Sequence, residues 1–240
     1  MRVLAAAFAY NERPYIPYMV EYYRSQGCDL LILDNYSTDG TYEWLVENKV
    51  ITGRVDSQEA FHLGKLQGAL LKALAREKPD WVLYTGIDTY FYFTGTISEE
   101  VKKAVDHKCN MIATNHIECH NIGEEFHLPF QETYFYVLTN NRRRQMISKY
   151  NPDYFKFAAD NILITKPEVY ESDGFLINYG MCKSKKERDL TLARRQKAWK
   201  LGEPLGHGAG YVMHQQRNWT WTKEEFTDIR TTKYYKMMTK

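Results

Sequence analysis

The sequence predicts an α/β fold, because short apolar strands alternate with amphipathic helices and polar residues follow the strands directly. Val3 to Ala9 has the continuous apolar character of a buried strand. Pro14 to Gln26 then repeats apolar residues at helical spacing until Gly27 ends the helix. Leu30 to Leu33 is a second apolar strand. The order strand, helix, strand is the beginning of a doubly wound sheet with helices packed on it.

The same alternation continues after the second strand with two helices and the strand between them. Thr38 or Asp39 caps a helix from Thr41 to Glu47, and Ile51 to Val55 is a third short strand. An amphipathic helix then covers Gly64 to Arg76. These elements extend the predicted sheet by a further strand on the same pattern.

A fourth strand, Trp81 to Tyr84, follows the helix break at Pro79. Beyond it the pattern is less regular, and the predicted elements are a helix capped by Ser98 and running through Asp106, strands at Met111 to Cys119 and Thr133 to Leu138, and basic helices at Asn141 to Tyr150 and Lys185 to Leu201. No Pro/Gly/Ser-rich linker and no internal repeat interrupts this series.

Length and composition predict one enzyme-sized domain over residues 1–240. The chain has 240 residues, of which 44% are apolar and 26% charged, enough to bury a sizeable core. The formal net charge of +2 is too small to indicate a nucleic-acid partner. Because the first apolar strand is too short for a signal peptide or a membrane span, we expect a cytoplasmic protein.

The four cysteines do not indicate a metal or redox motif. Cys28, Cys109, Cys119 and Cys182 lie far apart and never form a C-x-x-C spacing. We therefore expect reduced thiols.

Polar residues stand at the end of three predicted strands. Asn11 and Glu12 follow the first strand, Asp34 follows the second, and Asp88 follows the fourth. In an open α/β sheet, ligands bind in the crevice at the carboxyl ends of the strands. These side chains therefore predict a binding site for a polar ligand.

Several of these residues, in this order, resemble a known family. The segments are Asn11-Glu12, Gly27-Cys28-Asp29, Leu33-Asp34-Asn35, Ser37 to Thr41, Gln67 and Trp81 to Asp88, with a weaker likeness in Ile177-Asn178-Tyr179, Ser184, Glu187 and Arg194-Arg195. In them the chain is similar to family 2-like glycosyltransferases of the GT-A fold. The resemblance implies a single Rossmann-like domain with a mixed central sheet flanked by helices, in which residues 1–95 bind a nucleotide sugar and residues 96–240 bind the acceptor.

The activity that the resemblance implies is transfer of a hexose from a nucleotide-sugar donor to a saccharide or glycoconjugate acceptor, with inversion. Carboxylate and amide acceptors suit the hydroxyl and N–H donors of a uracil-like nucleoside. The implied donor-binding residues are Ala9, Tyr10, Asn11, Glu12, Asp34, Asn35, Lys65, Gln67, Gly86, Ile87 and Asp88.

The resemblance also implies a divalent cation, Mn²⁺ or Mg²⁺, beside the diphosphate. Most relatives hold it with an Asp-x-Asp motif, and here Gly86 stands in place of the first Asp while Asp88 matches the second. A hard cation is bound by few protein ligands when phosphates and waters complete its shell. Asp88 and His207 are therefore the metal candidates, and Lys65, Arg194 or Arg195 would supply positive charge in the absence of a metal.

An inverting transferase needs a general base that takes the proton of the acceptor hydroxyl. Asp160 is the first candidate, since it lies in an apolar stretch and at a chain position where related enzymes carry such an acid. Glu118 and Glu132 are the reserve candidates.

Two other functions remain open at this stage. A catalytically inactive carbohydrate-binding protein of the same fold would lack the carboxylate at Gly86 and bind a glycan without consuming donor. A metal-dependent hydrolase would use His116, Glu118 and His120, which share one face of a strand.

The basic segment Arg230 to Lys240 combines Lys and Arg with Tyr and Met. Such a segment gives weak peripheral contact with a membrane surface. We expect no more than marginal attachment from it.

Overall fold

The computed structural model describes residues 1–57, 63–120, 136–138, 143–158, 161–179, 193, 227–228, 231 and 234–238. The helices are α1 Ile16–Ser25, α2 Thr41–Glu47, α3 Leu63–Glu77, α4 Ile97–Asp106 and α5 Tyr235–Met238. The strands are β1 Val3–Ala9, β2 Asp29–Asp34, β3 Ile51–Arg54, β4 Trp81–Tyr84, β5 Thr89–Tyr92, β6 Met111–His120, β7 Tyr136–Leu138, β8 Arg143–Lys149, β9 Lys156–Ala158, β10 Asn161–Leu163, β11 Val169–Asn178 and β12 Thr227–Asp228.

One mixed sheet organises the described residues. Its strands follow the order β12-β7-β6-β8-β4-β1-β2-β3, and β11 pairs with both β6 and β5. Strands β1 to β4 are mutually parallel where they pair, whereas β8 runs antiparallel to β4 and to β6. The predicted α/β class, a mixed central sheet flanked by helices, is confirmed.

The parallel part of the sheet changes winding direction beside β1. The chain runs from β1 outward to β2 and β3, then returns through α3 to place β4 on the other side of β1. Such a reversal is the point at which open α/β sheets form a crevice beyond their strand ends. The fold therefore puts the ends of β1, β2 and β4 around one crevice.

The core is centred on β1, which is apolar on both faces because neighbouring strands and helices cover it. Val3 to Ala7 are all buried, as are the inward residues of α1, namely Ile16, Met19, Val20 and Tyr23. Small alanines in β1 allow close packing of the helices against the sheet. This rigid centre fixes the positions of the loops that leave its carboxyl edge.

The amino edge of the sheet is held by Arg2. Its guanidinium lies 2.6 Å from Asp29 and 3.2 Å from Glu77 and also donates to the Glu77 carbonyl, and its backbone N–H donates to Asp80. Bonding to the Asp29 carboxylate raises the pKa of this guanidinium. Arg2 thereby ties β1 to β2 and to the end of α3.

The predicted basic helix at Asn141 to Tyr150 is wrong, because β8 Arg143–Lys149 is a strand. It is inserted between β4 and β6 and forms antiparallel ladders with both. Met146, Ile147 and Ser148 are buried there. Pairing on two sides outweighs a weak local helix preference.

The cap of α4 also differs from the prediction. Thr96, not Ser98, is the N-cap, and it forms a capping box with Glu99. Ser98 instead donates its hydroxyl to the Gly27 carbonyl at 2.8 Å, which joins α4 to the end of α1. Strands β5 and β11 were not anticipated, and the predicted helix at Lys185 to Leu201 lies almost wholly outside the described residues.

In the part of the chain that the structure describes, no helix combines the length and the apolar character that crossing a bilayer requires. The C-terminal helix α5 packs on the protein instead. The ring of Tyr234 lies 4.8 Å from that of Phe175, and Tyr235, Met237 and Met238 are partly buried against the core. These apolar side chains pack against the protein core. Membrane contact through the basic residues of this segment stays a prediction.

Candidate functional site

The loops after β1 and β2 are tied to one another by hydrogen bonds. The Asn11 N–H donates to the Ser37 hydroxyl, and the Thr38 N–H donates to Asn11 Oδ1, both at 2.8 Å. The Glu12 N–H donates to the Thr41 hydroxyl at 3.0 Å. Asn11 has a left-handed backbone with φ of 54°, which Asn tolerates better than most residues. Asn11 and Glu12 therefore shape the crevice wall, and the side-chain oxygen of Asn11 is already engaged within it.

Asp34 is a buried carboxylate at the end of β2. It has no exposed surface, and its Oδ2 accepts from the Ser37 N–H at 3.0 Å. Its other oxygen, Oδ1, is buried and has no hydrogen-bond partner among the described residues. Buried polar atoms are almost always hydrogen-bonded, since leaving one unpaired costs about 1–3 kcal/mol. Oδ1 is thus a buried acceptor that none of the described residues satisfies.

Asn35, next to Asp34, holds the following strand end in place. Its backbone N–H donates to the Ala9 carbonyl at 2.8 Å. Its side-chain oxygen accepts from the Ser57 hydroxyl at 2.7 Å and from the Ser57 N–H at 3.1 Å. Ala9 is itself buried, so these two predicted site residues contribute to the backbone frame of the crevice.

Arg54 is a site residue that sequence reasoning missed. It ends β3 directly opposite Asp34 in the strand register, and its Nε lies 3.8 Å from Asp34 Oδ2. The guanidinium stands 4.2 Å from the centre of the Tyr42 ring and 5.5 Å from that of Tyr36, and it bonds Glu43 at 2.9 Å. In the sequence Arg54 lies one residue before the end of the third predicted strand, and only the strand register shows that it faces Asp34.

Tyr36 stands beside Arg54 in an unusual conformation. Its φ is 56°, and its side chain is 51% exposed. A bulky aromatic residue seldom adopts a left-handed backbone, and such outliers cluster at functional sites. An exposed ring held next to a guanidinium is a flat surface on which a planar ligand can stack.

The turn between β4 and β5 carries Gly86, Ile87 and Asp88. Ile87 is 4% exposed and points into the core, whereas Asp88 is partly exposed. A Cβ on Gly86 would lie 3.2 Å from Asp88 Oδ1 and 3.0 Å from the Thr89 hydroxyl. The absence of a side chain at position 86 therefore leaves room for the carboxylate of Asp88, which lies next to the Gly86 backbone.

The strand register places further predicted residues at this edge. Asn178 of β11 pairs with Thr89 of β5 on one side and with Glu118 of β6 on the other. Neighbouring strands are about 4.8 Å apart, so the Glu118 backbone lies roughly 10 Å from that of Thr89. The side chains of Glu118 and His120 lie outside the described residues, and His116 is buried. The zinc hydrolase alternative thus stays a prediction.

Of the remaining site predictions, some fall on residues that the structure does not describe. Asp160, Glu132 and His207 belong to this group. Asp160 lies between β9 and β10, whose Phe157 ring is 4.7 Å from the Tyr84 ring at the end of β4. This contact anchors the β9–β10 pair beside the turn that carries Asp88.

Three other predicted donor-binding residues belong to the described part of the chain. Lys65 is exposed and Gln67 half-buried, both in the first turns of α3, which leads away from the carboxyl edge. Tyr10 is half-buried after β1. A shallow groove of about 290 Å³ on the outer side of α2 meets the crevice at Arg54 and is lined by Tyr42, Glu43, Val46, Glu47 and Arg54.

The described residues include no cluster of three or more metal-ligating side chains. Asp88 nevertheless fits a Mg²⁺ or Mn²⁺ site of the kind in which one or two carboxylates act together with substrate phosphates. The partly exposed carboxylate at the strand end is the group such a site requires.

Comparison with known proteins gives structural likenesses only. No family model matches the chain, and no curated protein matches it. Among solved structures, S. aureus TarS 1–349 is 14% identical, with a TM-score of 0.46 over 91% of this chain and 78% of that chain. The same fragment in complex with UDP is also 14% identical, with a TM-score of 0.45 over 94% of this chain and 77% of that chain.

Two further solved structures are similar in the same general way. Another crystal structure of S. aureus TarS is 12% identical, with a TM-score of 0.46, and the chain spans 36% of its length. HddC from Yersinia pseudotuberculosis is 12% identical, with a TM-score of 0.38 over 75% of this chain and 95% of that chain. All these TM-scores lie below 0.5, so the functional proposal rests on the residues of the crevice themselves.

Proposed function

We propose that the chain is a glycosyltransferase of the GT-A type that moves a hexose from a nucleotide sugar to a saccharide or glycoconjugate acceptor, with inversion. One observation carries this proposal. Asp34, fully buried at the switch point of a doubly wound sheet, has one carboxylate oxygen beside the Arg54 guanidinium and another that no described residue pairs. The resemblance of the strand-end motifs to family 2-like enzymes points to the same ligand.

The nucleoside end of the donor is recognised by Asp34 and Arg54. A carboxylate oxygen can only accept, so Asp34 Oδ1 is suited to an N–H or O–H donor of the ligand. The Arg54 guanidinium can only donate, and it suits a carbonyl oxygen next to that donor. A base with an imide edge, such as uracil, has this arrangement, whereas cytosine has an acceptor at the corresponding ring nitrogen. The exposed ring of Tyr36 would stack on the base.

The diphosphate end of the donor is assigned to Asp88. With His207, Asp88 would hold Mn²⁺ or Mg²⁺, which offsets the charge that develops on the leaving nucleoside diphosphate. Lys65 on α3 is a basic candidate within the described residues for the same electrostatic task.

In the transfer step, the acceptor oxygen forms a bond to the anomeric carbon on the face opposite the phosphate. The bond from this carbon to the phosphate oxygen breaks, and the nucleoside diphosphate leaves with the electron pair. Asp160 takes the acceptor proton, with Glu118 and Glu132 as the alternative bases. The position of the Glu118 backbone two strands from Thr89 supports its place among these candidates.

The proposal is tested by thermal shift with UDP-, GDP-, dTDP- and CMP-sugars, each with and without Mn²⁺. Since a ligand that binds only the folded state stabilises it, a uridine donor should raise Tm, and release of UDP in the presence of acceptor glycans should follow. A shift without any turnover would identify an inactive binding protein. No shift with any nucleotide would refute the proposed function, and bound zinc in the purified protein would favour the hydrolase.

A further inference from the structure

The turn that carries Asp88 rests on a buried hydroxyl from another element. Tyr23 of α1 has no exposed surface, and its hydroxyl donates to the Thr89 carbonyl at 2.7 Å. The same oxygen lies 2.8 Å from the Thr85 hydroxyl, which is itself 3.1 Å from the Thr89 carbonyl. These three oxygens lie within hydrogen-bonding distance of one another beneath residues 85–89, and the two hydroxyl protons make two bonds among them.

The Tyr23 hydroxyl is a permanent donor. Burial raises the pKa of this hydroxyl well above its ordinary value of 10.0, so it keeps its proton throughout the pH range of folded proteins. Its ring is packed against Tyr22 and Tyr90 at centroid distances of 5.3 and 6.2 Å. A Phe ring would fill this space equally well, so the hydroxyl specifically serves the turn.

The rest of the turn leaves Asp88 little freedom. The Thr85 N–H donates to Ala6 at 3.0 Å, the Thr89 N–H to Gly86 at 3.2 Å, and the Tyr179 N–H to the Asp88 carbonyl at 2.7 Å. These bonds hold the backbone on the sheet side. The hydroxyl of Tyr23 holds it from the α1 side, through the Thr89 carbonyl at the point where β5 begins.

We propose that Tyr23 is a positioning residue that fixes the β4–β5 turn and thereby the Asp88 carboxylate at the diphosphate end of the donor site. The inference rests on the proposed function. On this inference, α1 positions the diphosphate end of the site, although this helix carries none of the predicted donor-binding residues.

Tyr22 provides a matched control on the same helix. Its hydroxyl donates to the Phe91 carbonyl, in the same strand β5 but beyond the turn, and its pKa is likewise raised by burial. Tyr23→Phe and Tyr22→Phe each delete one phenol hydroxyl that bonds a β5 carbonyl. They differ in whether that carbonyl belongs to the turn with Asp88.

The experiment is calorimetric titration of wild type and both variants with UDP and with UMP in the presence of Mn²⁺. Because UMP lacks the second phosphate, the ratio of the UDP and UMP affinities reports on the diphosphate end alone. Tyr23→Phe should lower this ratio by about 10-fold or more, since small misplacements of charged groups have effects of this order. Tyr22→Phe should leave it within about 2-fold. A general loss of stability would weaken both ligands together.

Thr85 supplies a second pair of variants in case Tyr23→Phe does not fold. Thr85→Val removes the hydroxyl that lies beside the Tyr23 hydroxyl and the Thr89 carbonyl, and Thr85→Ser keeps it, so only Thr85→Val should lower the UDP to UMP ratio. Provided that wild type binds UDP, an unchanged ratio of UDP to UMP affinity in Tyr23→Phe contradicts the inference. If that variant does not fold, the same result in Thr85→Val contradicts it. If wild type binds neither UDP nor UMP, the assignment of a uridine donor fails and this inference fails with it, whereas the proposed function fails only if no nucleotide sugar binds.

Discussion

At the scale of single residues, Asp34 and Gly86 differ from general expectation, since a carboxylate is seldom buried with an unpaired oxygen and a glycine in a predicted metal motif suggests a missing ligand. A buried carboxylate with an unpaired oxygen is costly, yet a rigid strand places Asp34 where the described residues Ser37 and Arg54 engage only one of its oxygens. Gly86 looked like a lost metal ligand in the sequence. The structure shows that its missing side chain makes room for the carboxylate of Asp88.

Adding a methyl group at position 86 tests this interpretation. In Gly86→Ala the new Cβ would meet Asp88 Oδ1 at 3.2 Å and the Thr89 hydroxyl at 3.0 Å, so the carboxylate must move. We expect weaker UDP binding in the presence of Mn²⁺ and a loss of about 1 kcal/mol in the free energy of unfolding. Titration calorimetry and denaturant unfolding measure the two effects.

Gly68 is the control for this change. It lies inside α3, and a methyl group added there would meet none of the described atoms beyond its own helix backbone within 4 Å. Gly68→Ala should therefore raise the free energy of unfolding by about 0.5–1 kcal/mol and leave UDP affinity unchanged. UDP affinity in Gly86→Ala equal to that of wild type would show that the position of the Asp88 carboxylate does not depend on the glycine.

At the scale of elements, the capping box of α4 secures the helix that supports α1. Thr96 accepts from the Glu99 N–H at 3.2 Å, and Glu99 accepts from the Thr96 N–H at 2.7 Å. The bond from the Thr96 N–H lowers the pKa of the Glu99 carboxylate. Through Ser98 and Gly27, α4 then contacts the end of the helix that carries Tyr23.

Thr96→Ala should lower the free energy of unfolding by about 1 kcal/mol, because one N-terminal N–H loses its acceptor. Denaturant unfolding of the variant and of wild type measures this difference.

Since the Glu99 pKa is lower in the folded state, the contribution of Glu99 to the free energy of unfolding is complete above the ordinary value of 4.5 and is lost as the pH falls through the folded-state pKa. Unfolding curves of wild type and Glu99→Gln should therefore differ near neutral pH and converge in acid. A difference that grows in acid would contradict this assignment.

The elements also show how far the sequence could lead. Strands β1 to β4 and the helices between them were predictable, because their apolar runs and amphipathic periods agree with the tertiary environment. β8 was not, since its strand state depends on β4 and β6, which are distant in sequence. Arg54 was missed for a similar reason: its proximity to Asp34 is set by strand register and not by any local motif.

At the scale of the whole molecule, the Arg2 ion pairs and the candidate site lie at opposite edges of one sheet. The Arg2 cluster with Asp29 and Glu77 ties the amino edge, while the Asp34 oxygen that no described residue pairs lies at the carboxyl edge. β2 joins the two, beginning at Asp29 and ending at Asp34. The same strand therefore offers a matched pair of aspartates for separating folding from binding.

The most direct test of the donor site is titration of UDP, with Mn²⁺, into wild type, Asp34→Asn, Asp88→Asn and Asp29→Asn. We predict that Asp34→Asn and Asp88→Asn each weaken binding by about 10-fold or more, the loss expected when a charged hydrogen-bonding partner is removed. Asp29→Asn should lower Tm through its lost contact with Arg2 and bind UDP as wild type does. Wild-type affinity in both Asp34→Asn and Asp88→Asn would contradict the assignment of this crevice as a nucleotide-sugar site.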